Sequence, residues 1–239
     1  TLDGAFARYM RVTAAAIRQG NVIPLPDTME FDAMALAEPF ACVLRGQNAV
    51  SVSPGDSVLV MGAGPIGLMH VLLAKQRGAQ PVMVSDLVPA RLTAALQCGA
   101  DTVIDIREQE LAEQMRPATD GRGADVVIVA APAHKAMEQA VRVAALQGRI
   151  NYFAGLPKQE SEIRLDANAV HYGELRITGT TACSTGDCRR AVELICSGQV
   201  DVRPLIGARY SLRDALAAFD QACSRTGLKV MIQPGRDEG

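Results

Sequence analysis

The sequence predicts an α/β protein built on a doubly wound parallel sheet. From about Asp56 onward, short and almost continuously apolar runs alternate with longer amphipathic ones, and Gly-containing joints (Gly78, Gly99, Gly121-Arg122-Gly123, Gly148) separate them. Strand–helix alternation with short joints is the pattern of parallel βαβ units, and unbroken apolar strands are those covered on both faces. The composition fits one large or two modest domains with an ample core: 239 residues, 49% hydrophobic and 21% charged.

The elements follow in order. A strand is expected around Phe6–Val12, then a Pro-rich turn at Ile23-Pro-Leu-Pro-Asp and a short helix from near Asp32. Strands are predicted at Ser57–Met61, Pro81–Ser85, Thr102–Ile104, Asp125–Ala130 and Arg149–Phe153. Helices are predicted between them at Pro65–Arg77, Pro89–Cys98, Glu108–Met115 and Lys135–Leu146. A further strand at Leu175–Gly179 precedes a helix at Cys188–Ser197; beyond about Val200 come Pro204-Leu-Ile, a helix Leu212–Cys223 and a terminal strand Leu228–Gln233. The polar tail 234–239 is expected to fray.

Several function classes are disfavoured. Lys and Arg total 24 against 26 Asp and Glu, a net charge of −2 with no basic cluster, which argues against nucleic acid as partner. Six cysteines stand apart with no Cys-x-x-Cys pair, so neither a disulfide scaffold nor a Cys-rich zinc lobe is read. The amino terminus shows no basic segment followed by an apolar one, as a secretory signal requires. The uncharged stretch around Val58–Ala74 approaches the length of a membrane span, but glycines and a proline interrupt its first half. The expectation is a reduced, cytoplasmic protein with no membrane partner.

The most specific feature is Val58-Leu-Val-Met-Gly62-Ala-Gly64-Pro65-Ile66-Gly67-Leu. G-x-G-x-x-G alone is a weak signal. Here it follows an apolar strand, opens a helix, and is answered by Asp86 at the end of the next predicted strand, the full context of a dinucleotide cradle. Gly62 permits the tight turn, Gly64 lets a pyrophosphate approach the backbone, and Gly67 lets the helix pack on the sheet. Pro65 suits a first helical turn, whose unpaired N–H groups and positive dipole end face the phosphates. A carboxylate at Asp86 accepts from both ribose hydroxyls and repels a 2′-phosphate, so NAD is the expected cofactor. Nearby Arg91 either neutralises a 2′-phosphate or covers the adenine. The competing readings are a ligand-free Gly-rich joint and a solvated carboxylate.

Leu36-Ala-Glu38-Pro-Phe-Ala-Cys-Val-Leu followed by Pro54-Gly-Asp-Ser-Val-Leu-Val-Met-Gly-Ala-Gly-Pro-Ile-Gly resembles the zinc-dependent medium-chain alcohol dehydrogenases, most of all their sorbitol/threonine dehydrogenase-like branch. Gly4-Ala-Phe-Ala-Arg-Tyr, Gly99-Ala-Asp, His171-Tyr-Gly-Glu-Leu-Arg-Ile-Thr-Gly and Val202-Arg-Pro-Leu-Ile extend the resemblance over essentially the whole chain. It implies an NAD-binding Rossmann domain over 41–200, a remnant of a GroES-like catalytic domain over 1–40, and a return to that domain over 201–239. It also implies that roughly a hundred residues of the catalytic domain precede this chain, a small domain's worth. The family's first zinc-ligand cysteine, its Gly-His-Glu segment and its structural zinc lobe fall there; His70, His134 and His171 do not stand at those places. The main catalytic residues are therefore unknown from this chain, and little turnover is expected of it alone.

By the same resemblance Glu38 contacts zinc directly or through water, an oxygen ligand zinc accepts; the plainer reading is a helix-terminal glutamate before Pro39. Zinc, as a Lewis acid, would acidify the hydroxyl of a small alcohol or polyol substrate, and a hydride would pass to the nicotinamide. Ala154-Gly155-Leu156 and Thr180-Thr181 match the places where the family's backbone holds the nicotinamide edge. The resemblance further implies a homo-oligomer, dimer or tetramer, pairing through Leu175–Gly179. Three departures leave the polyol open: Val127-Ile-Val-Ala-Ala-Pro132, Ala182-Cys183 and Gly207-Ala208 replace the family's usual residues. Cys183 and Cys188 read as ordinary thiols rather than a redox pair, and His70 as a packed histidine. The alternatives are a non-catalytic dinucleotide-binding module and a zinc-free NADPH quinone reductase-like protein, which Asp86 disfavours.

Overall fold

A computed structural model describes residues 4–108, 110–224 and 227–235. The elements, in chain order, are α1 (Ala14–Arg18), α2 (Phe31–Met34), α3 (Ala37–Ala49), β1 (Val58–Met61), α4 (Pro65–Gln76), β2 (Val82–Asp86), α5 (Pro89–Gln97), β3 (Thr102–Asp105), α6 (Leu111–Thr119), β4 (Ala124–Val129), α7 (His134–Val143), β5 (Ala144–Tyr152), α8 (Ala167–Gly173), β6 (Arg176–Gly179), α9 (Thr185–Cys196), β7 (Ile206–Ser211), α10 (Ala215–Ser224) and β8 (Lys229–Gln233). They fall into two units, Glu38–Cys183 and Thr1–Ala37 with Ser184–Gly239.

In the first unit the apolar runs pair as a six-stranded parallel sheet of order β3-β2-β1-β4-β5-β6. Every residue of β1 and β2 is buried, because helices cover both faces and successive side chains point to opposite ones. Leu59, Met61, Met83, Ile104, Val127, Val129 and Ile150 share one core with Leu111 and Met115 of α6 and Met137, Ala140 and Val141 of α7. Val60 points the other way, toward Gly67 on α4. The expected doubly wound α/β architecture is the one observed.

Several boundaries differ from the sequence reading. No strand forms over Phe6–Val12; Phe6, Tyr9 and Met10 are exposed, and the chain passes instead into α1, capped by the Thr13 side chain accepting from the Ala16 amide. A strand persists only where a neighbour completes its hydrogen-bond ladder. The helix expected over 108–115, which spans residue 109 outside the described residues, runs instead over Leu111–Thr119. Before it, Asp105 Oδ1 accepts from the Arg107 amide and holds a turn. The helix expected to reach Leu146 stops at Val143, because Ala144 already pairs with Ala124 and opens β5 ahead of an irregular register. The helix α9 starts three residues earlier than expected, at Thr185, under a capping box between Ser184 and Asp187.

In the second unit, β7 and β8 pair in parallel across the connecting α10. Asp32 accepts from Arg209 and from Gln233 Nε2, and Phe6 meets Phe219 edge-to-face at 5.3 Å. Residues 236–239 of the polar tail lie outside the described residues. Among the described residues no helix is long and apolar enough to cross a membrane.

Candidate functional site

Strand order places the site. The chain leaves β1 for β2 on one side, while β4 lies on β1's other side, so a crevice opens between the carboxyl ends of β1 and β4. Gly62 leaves β1 at φ +108°, a conformation side chains rarely adopt, and a Cβ there would stand 3.1 Å from the Ala131 amide nitrogen. Gly67 sits against the loop it follows: a Cβ would come within 1.8 Å of the Gly62 carbonyl oxygen. Gly64 has nothing within 4 Å of its Cβ direction, so open space faces the loop at the point where α4 begins. Pro65 takes the first helical position, and the Ile66 and Gly67 amides of that first turn have no carbonyl within the helix to meet. Open space before unpaired amides fits an anionic group.

Asp86 ends β2 and is buried at 9% exposure. Its Oδ2 accepts from the Ala63 amide at 2.7 Å and its Oδ1 from the Val88 amide at 2.8 Å, while Arg91 Nη1 lies 4.0 Å from Oδ2. Each carboxylate oxygen has a second lone pair left to accept with. Gly62, Asp86 and Arg91 line one cavity of about 310 Å³, together with Leu87, Val88, Ile106, Ala131 and Lys135. That is the low end of the size of small-molecule sites. A mostly apolar slot closed by one carboxylate and two cations fits a purine and its ribose.

The second group of expected residues follows the carboxyl ends of β5 and β6 and does not line that cavity. The Phe153 and Ala154 amides both donate to the Val129 carbonyl, at 3.1 and 2.9 Å. Leu156 packs on the core under the sheet, and Gly155 is exposed. Thr180 Oγ1 and the Asn151 side-chain amide lie 3.3 Å apart; Thr181 is exposed.

Glu38 does not stand alone. It and Cys42 are four residues apart on one face of α3, with Cys42 Sγ 3.5 Å from Glu38 Oε1. Cys183, four residues beyond β6, brings its Sγ to 3.9 Å from the same oxygen. The three donor atoms all lie within 4.8 Å of one another. Two thiols and a carboxylate form a donor set that zinc accepts. Burial, the Cys183 contact and the Glu38 charge push the Cys42 thiol up to about 12.

The face that carries Glu38 and Cys42 continues to Gly46, where a Cβ would meet the Phe153 ring at 2.8 Å. Asn151 Nδ2 donates to the Gly46 carbonyl at 2.7 Å, and Gln47 Nε2 donates to the His70 carbonyl at 2.8 Å. Complete burial, with Arg77 nearby, holds His70 down to about 3, so its imidazole is neutral. It stacks edge-to-face on Phe153 at 4.6 Å, the packed histidine expected.

Sequence reasoning passed over Leu87, Val88, Ile106 and Ala131, although each sits just beyond the carboxyl end of a strand, and Lys135 in the first turn of α7. Cys42 had a legible signal in its spacing from Glu38. Cys183 had none, since 145 residues separate it from Glu38.

Residues 65–197 match the family model described as zinc-binding dehydrogenase. The chain is 34% identical over 237 residues to a sorbitol dehydrogenase of Bacillus subtilis (strain 168), covering 98% of this chain and 65% of that one. It is 28% identical to a D-arabitol-phosphate dehydrogenase of Enterococcus avium, covering 99% of this chain and 66% of that one. A crystal structure from Sinorhizobium meliloti 1021, of a protein described as a zinc-binding dehydrogenase bound to NADP, superposes with a TM-score of 0.81 at 27% identity, over 89% of this chain and 62% of that one. The chain thus spans about 65% of the length of the sorbitol dehydrogenase it matches.

Proposed function

Because the chain belongs to the zinc-dependent medium-chain dehydrogenase family, we propose that its first unit is the dinucleotide-binding part of an alcohol or polyol dehydrogenase, with NAD as the cofactor. The single observation that carries this is the meeting of Gly62 and Asp86 in one cavity at the strand-order switch. The Asp86 carboxylate is positioned to accept from ribose hydroxyls and disfavours a 2′-phosphate by like charge. The loop Gly62–Gly67 and the first-turn amides of α4 bind the diphosphate. Backbone at Ala154–Leu156 and Thr180–Thr181, beyond the ends of β5 and β6, orients the nicotinamide. Glu38 contributes to the metal site.

When bound, the dinucleotide supplies a hydride acceptor and zinc supplies a Lewis acid toward a substrate hydroxyl. The residues of this chain bind and orient: the apolar walls Val88, Ile106 and Ala131 exclude water around the adenosine end, and the glycine loop fixes the diphosphate. The substrate we propose is a small secondary alcohol or polyol, on the strength of likeness to the sorbitol and arabitol-phosphate dehydrogenases. The edge position of β6 in the sheet supports pairing of two copies through that strand.

Titration of the folded chain with NADH, followed by nucleotide fluorescence, tests the cradle, and absence of binding at millimolar NADH would overturn it. A second reading, NADP(H) as cofactor, is favoured by one observation: Arg91 and Lys135 both line the cavity and offer positive charge to a 2′-phosphate. Parallel titrations with NADH and NADPH separate the two, with at least tenfold preference for NADH expected.

A further inference from the structure

Glu38, Cys42 and Cys183 converge from opposite ends of the first unit's sequence. Glu38 and Cys42 share one face of α3, and Cys183 arrives from the loop after β6. Glu38 Oε1 is 3.5 Å from one sulfur and 3.9 Å from the other, and no pair of the three donors is further apart than 4.8 Å.

These separations have a simple geometric meaning. A tetrahedral zinc with bonds of about 2.0 Å to oxygen and about 2.3 Å to sulfur sets its oxygen and sulfur ligands about 3.5 Å apart, and two sulfurs about 3.8 Å apart. The observed oxygen–sulfur edges therefore lie close to those of a tetrahedron before any ion enters. Carboxylate and two thiolates together carry three negative charges, two of which a divalent cation offsets.

We propose that Cys42 and Cys183 are metal ligands, forming with Glu38 a two-sulfur, one-oxygen site for a thiophilic divalent cation such as zinc. The inference rests on the reading of Glu38 as a metal contributor and goes beyond it by naming two thiolates that complete a face of three donors. Softness sets the selectivity: two sulfurs favour zinc, cobalt or cadmium over magnesium or calcium, which require oxygen ligands. The fourth position is left for a solvent molecule or another donor.

The test uses the reduced, chelator-stripped chain and cobalt(II) as the probe. One equivalent of cobalt should bind with sulfur-to-cobalt charge-transfer absorption in the near ultraviolet. Cys42→Ser and Cys183→Ser should each lower that absorption by about half and weaken binding at least tenfold. Glu38→Gln should weaken binding at least tenfold while preserving the absorption, and Cys223→Ser, on α10 of the other unit, should change neither. A variant-free measurement guards against misfolding: one equivalent of zinc should slow alkylation of Cys42 and Cys183 at least tenfold in the unmodified chain, mapped by mass spectrometry. Cobalt binding that lacks the charge-transfer band but is lost in Glu38→Gln would overturn the thiolate ligation and leave the Glu38 reading standing. No cobalt binding to the folded chain would overturn both. Persistence of the band in the Cys42→Ser/Cys183→Ser double variant would likewise overturn the proposal. Titration of the same samples with NADH reports on the dinucleotide cradle independently.

Discussion

The Asp86 carboxylate accepts the Ala63 amide at 2.7 Å, so the group at the end of β2 braces the loop that follows β1. One side chain therefore shapes the glycine loop and faces the proposed ribose position. Its two roles separate by substitution. Asp86→Asn keeps an acceptor for the Ala63 amide, gives up the one that serves the Val88 amide, and loses the charge; NADH should bind about tenfold more weakly, with preference over NADPH reduced. Asp86→Ala also leaves the buried Ala63 amide unpaired and should cost an additional ~1–3 kcal/mol of stability. Fluorescence titration and denaturant unfolding of the two variants check both expectations; equal stability of Asp86→Ala and the parent would remove the bracing role.

Two glycines of the same loop make a second contrast. At Gly67 a Cβ would stand 1.8 Å from the Gly62 carbonyl, so Gly67→Ala must push the loop off α4. Overpacking of this kind costs about 1–3 kcal/mol, and dinucleotide affinity should fall with it. At Gly64, φ is −67° and no atom lies within 4 Å of the Cβ position. Gly64→Ala should therefore keep the parent's melting temperature while NADH binding drops at least tenfold, because the added methyl fills the space assigned to the diphosphate. Wild-type affinity in Gly64→Ala would show that the phosphates lie elsewhere.

The contrast also shows what was legible before the fold was known. Strand, glycine loop and acidic residue are one local grammar, written within residues 58–86, and the doubly wound sheet follows from apolar runs that need cover on both faces. The cavity proposed for the adenosine was half legible: Gly62, Asp86 and Arg91 carried a motif, whereas Val88, Ile106 and Ala131 reach it only because strand order brings their loops together. Nothing in the sequence pairs Cys183 with Glu38, because 145 residues separate them and only the packing of the fold brings them together. Phe6–Val12 failed for the opposite reason: its apolar residues looked strand-like, but a ladder partner is a tertiary fact.

His70 ties stability to pH. Its imidazole, buried and neutral, is held down to about 3 against an ordinary value of 6.5. Below pH 6.5 the unfolded chain takes up a proton that the folded chain refuses, so stability falls with acidification through the window from 6.5 to 3. From that shift alone, the loss between pH 7 and pH 5 is roughly 2 kcal/mol. Urea unfolding at the two pH values checks it, with His70→Gln expected to flatten the dependence. An unchanged slope in that variant would assign the acid sensitivity to other groups.

Asn151 holds the last turn of α3 to the sheet, one turn beyond Cys42, the nearer of that helix's two proposed metal ligands. Its side chain is fully buried and donates to the Gly46 carbonyl in the last turn of α3, at 2.7 Å, while also meeting Thr180 at 3.3 Å. Glu38, Cys42 and Gly46 follow one another at four-residue steps on a single helix face, so what fixes Gly46 fixes the whole row. Asn151→Ala removes the donor, and leaving polar groups unpaired in a dry interior costs about 1–3 kcal/mol. The damage should be selective. Cobalt affinity should fall several-fold as α3 loosens, whereas NADH, held by β1, α4 and Asp86, should bind nearly as in the parent. The reverse pattern, intact cobalt binding with impaired NADH binding, would mean that the Asn151 contact serves the nicotinamide end of the crevice through Thr180 rather than the helix that carries Glu38.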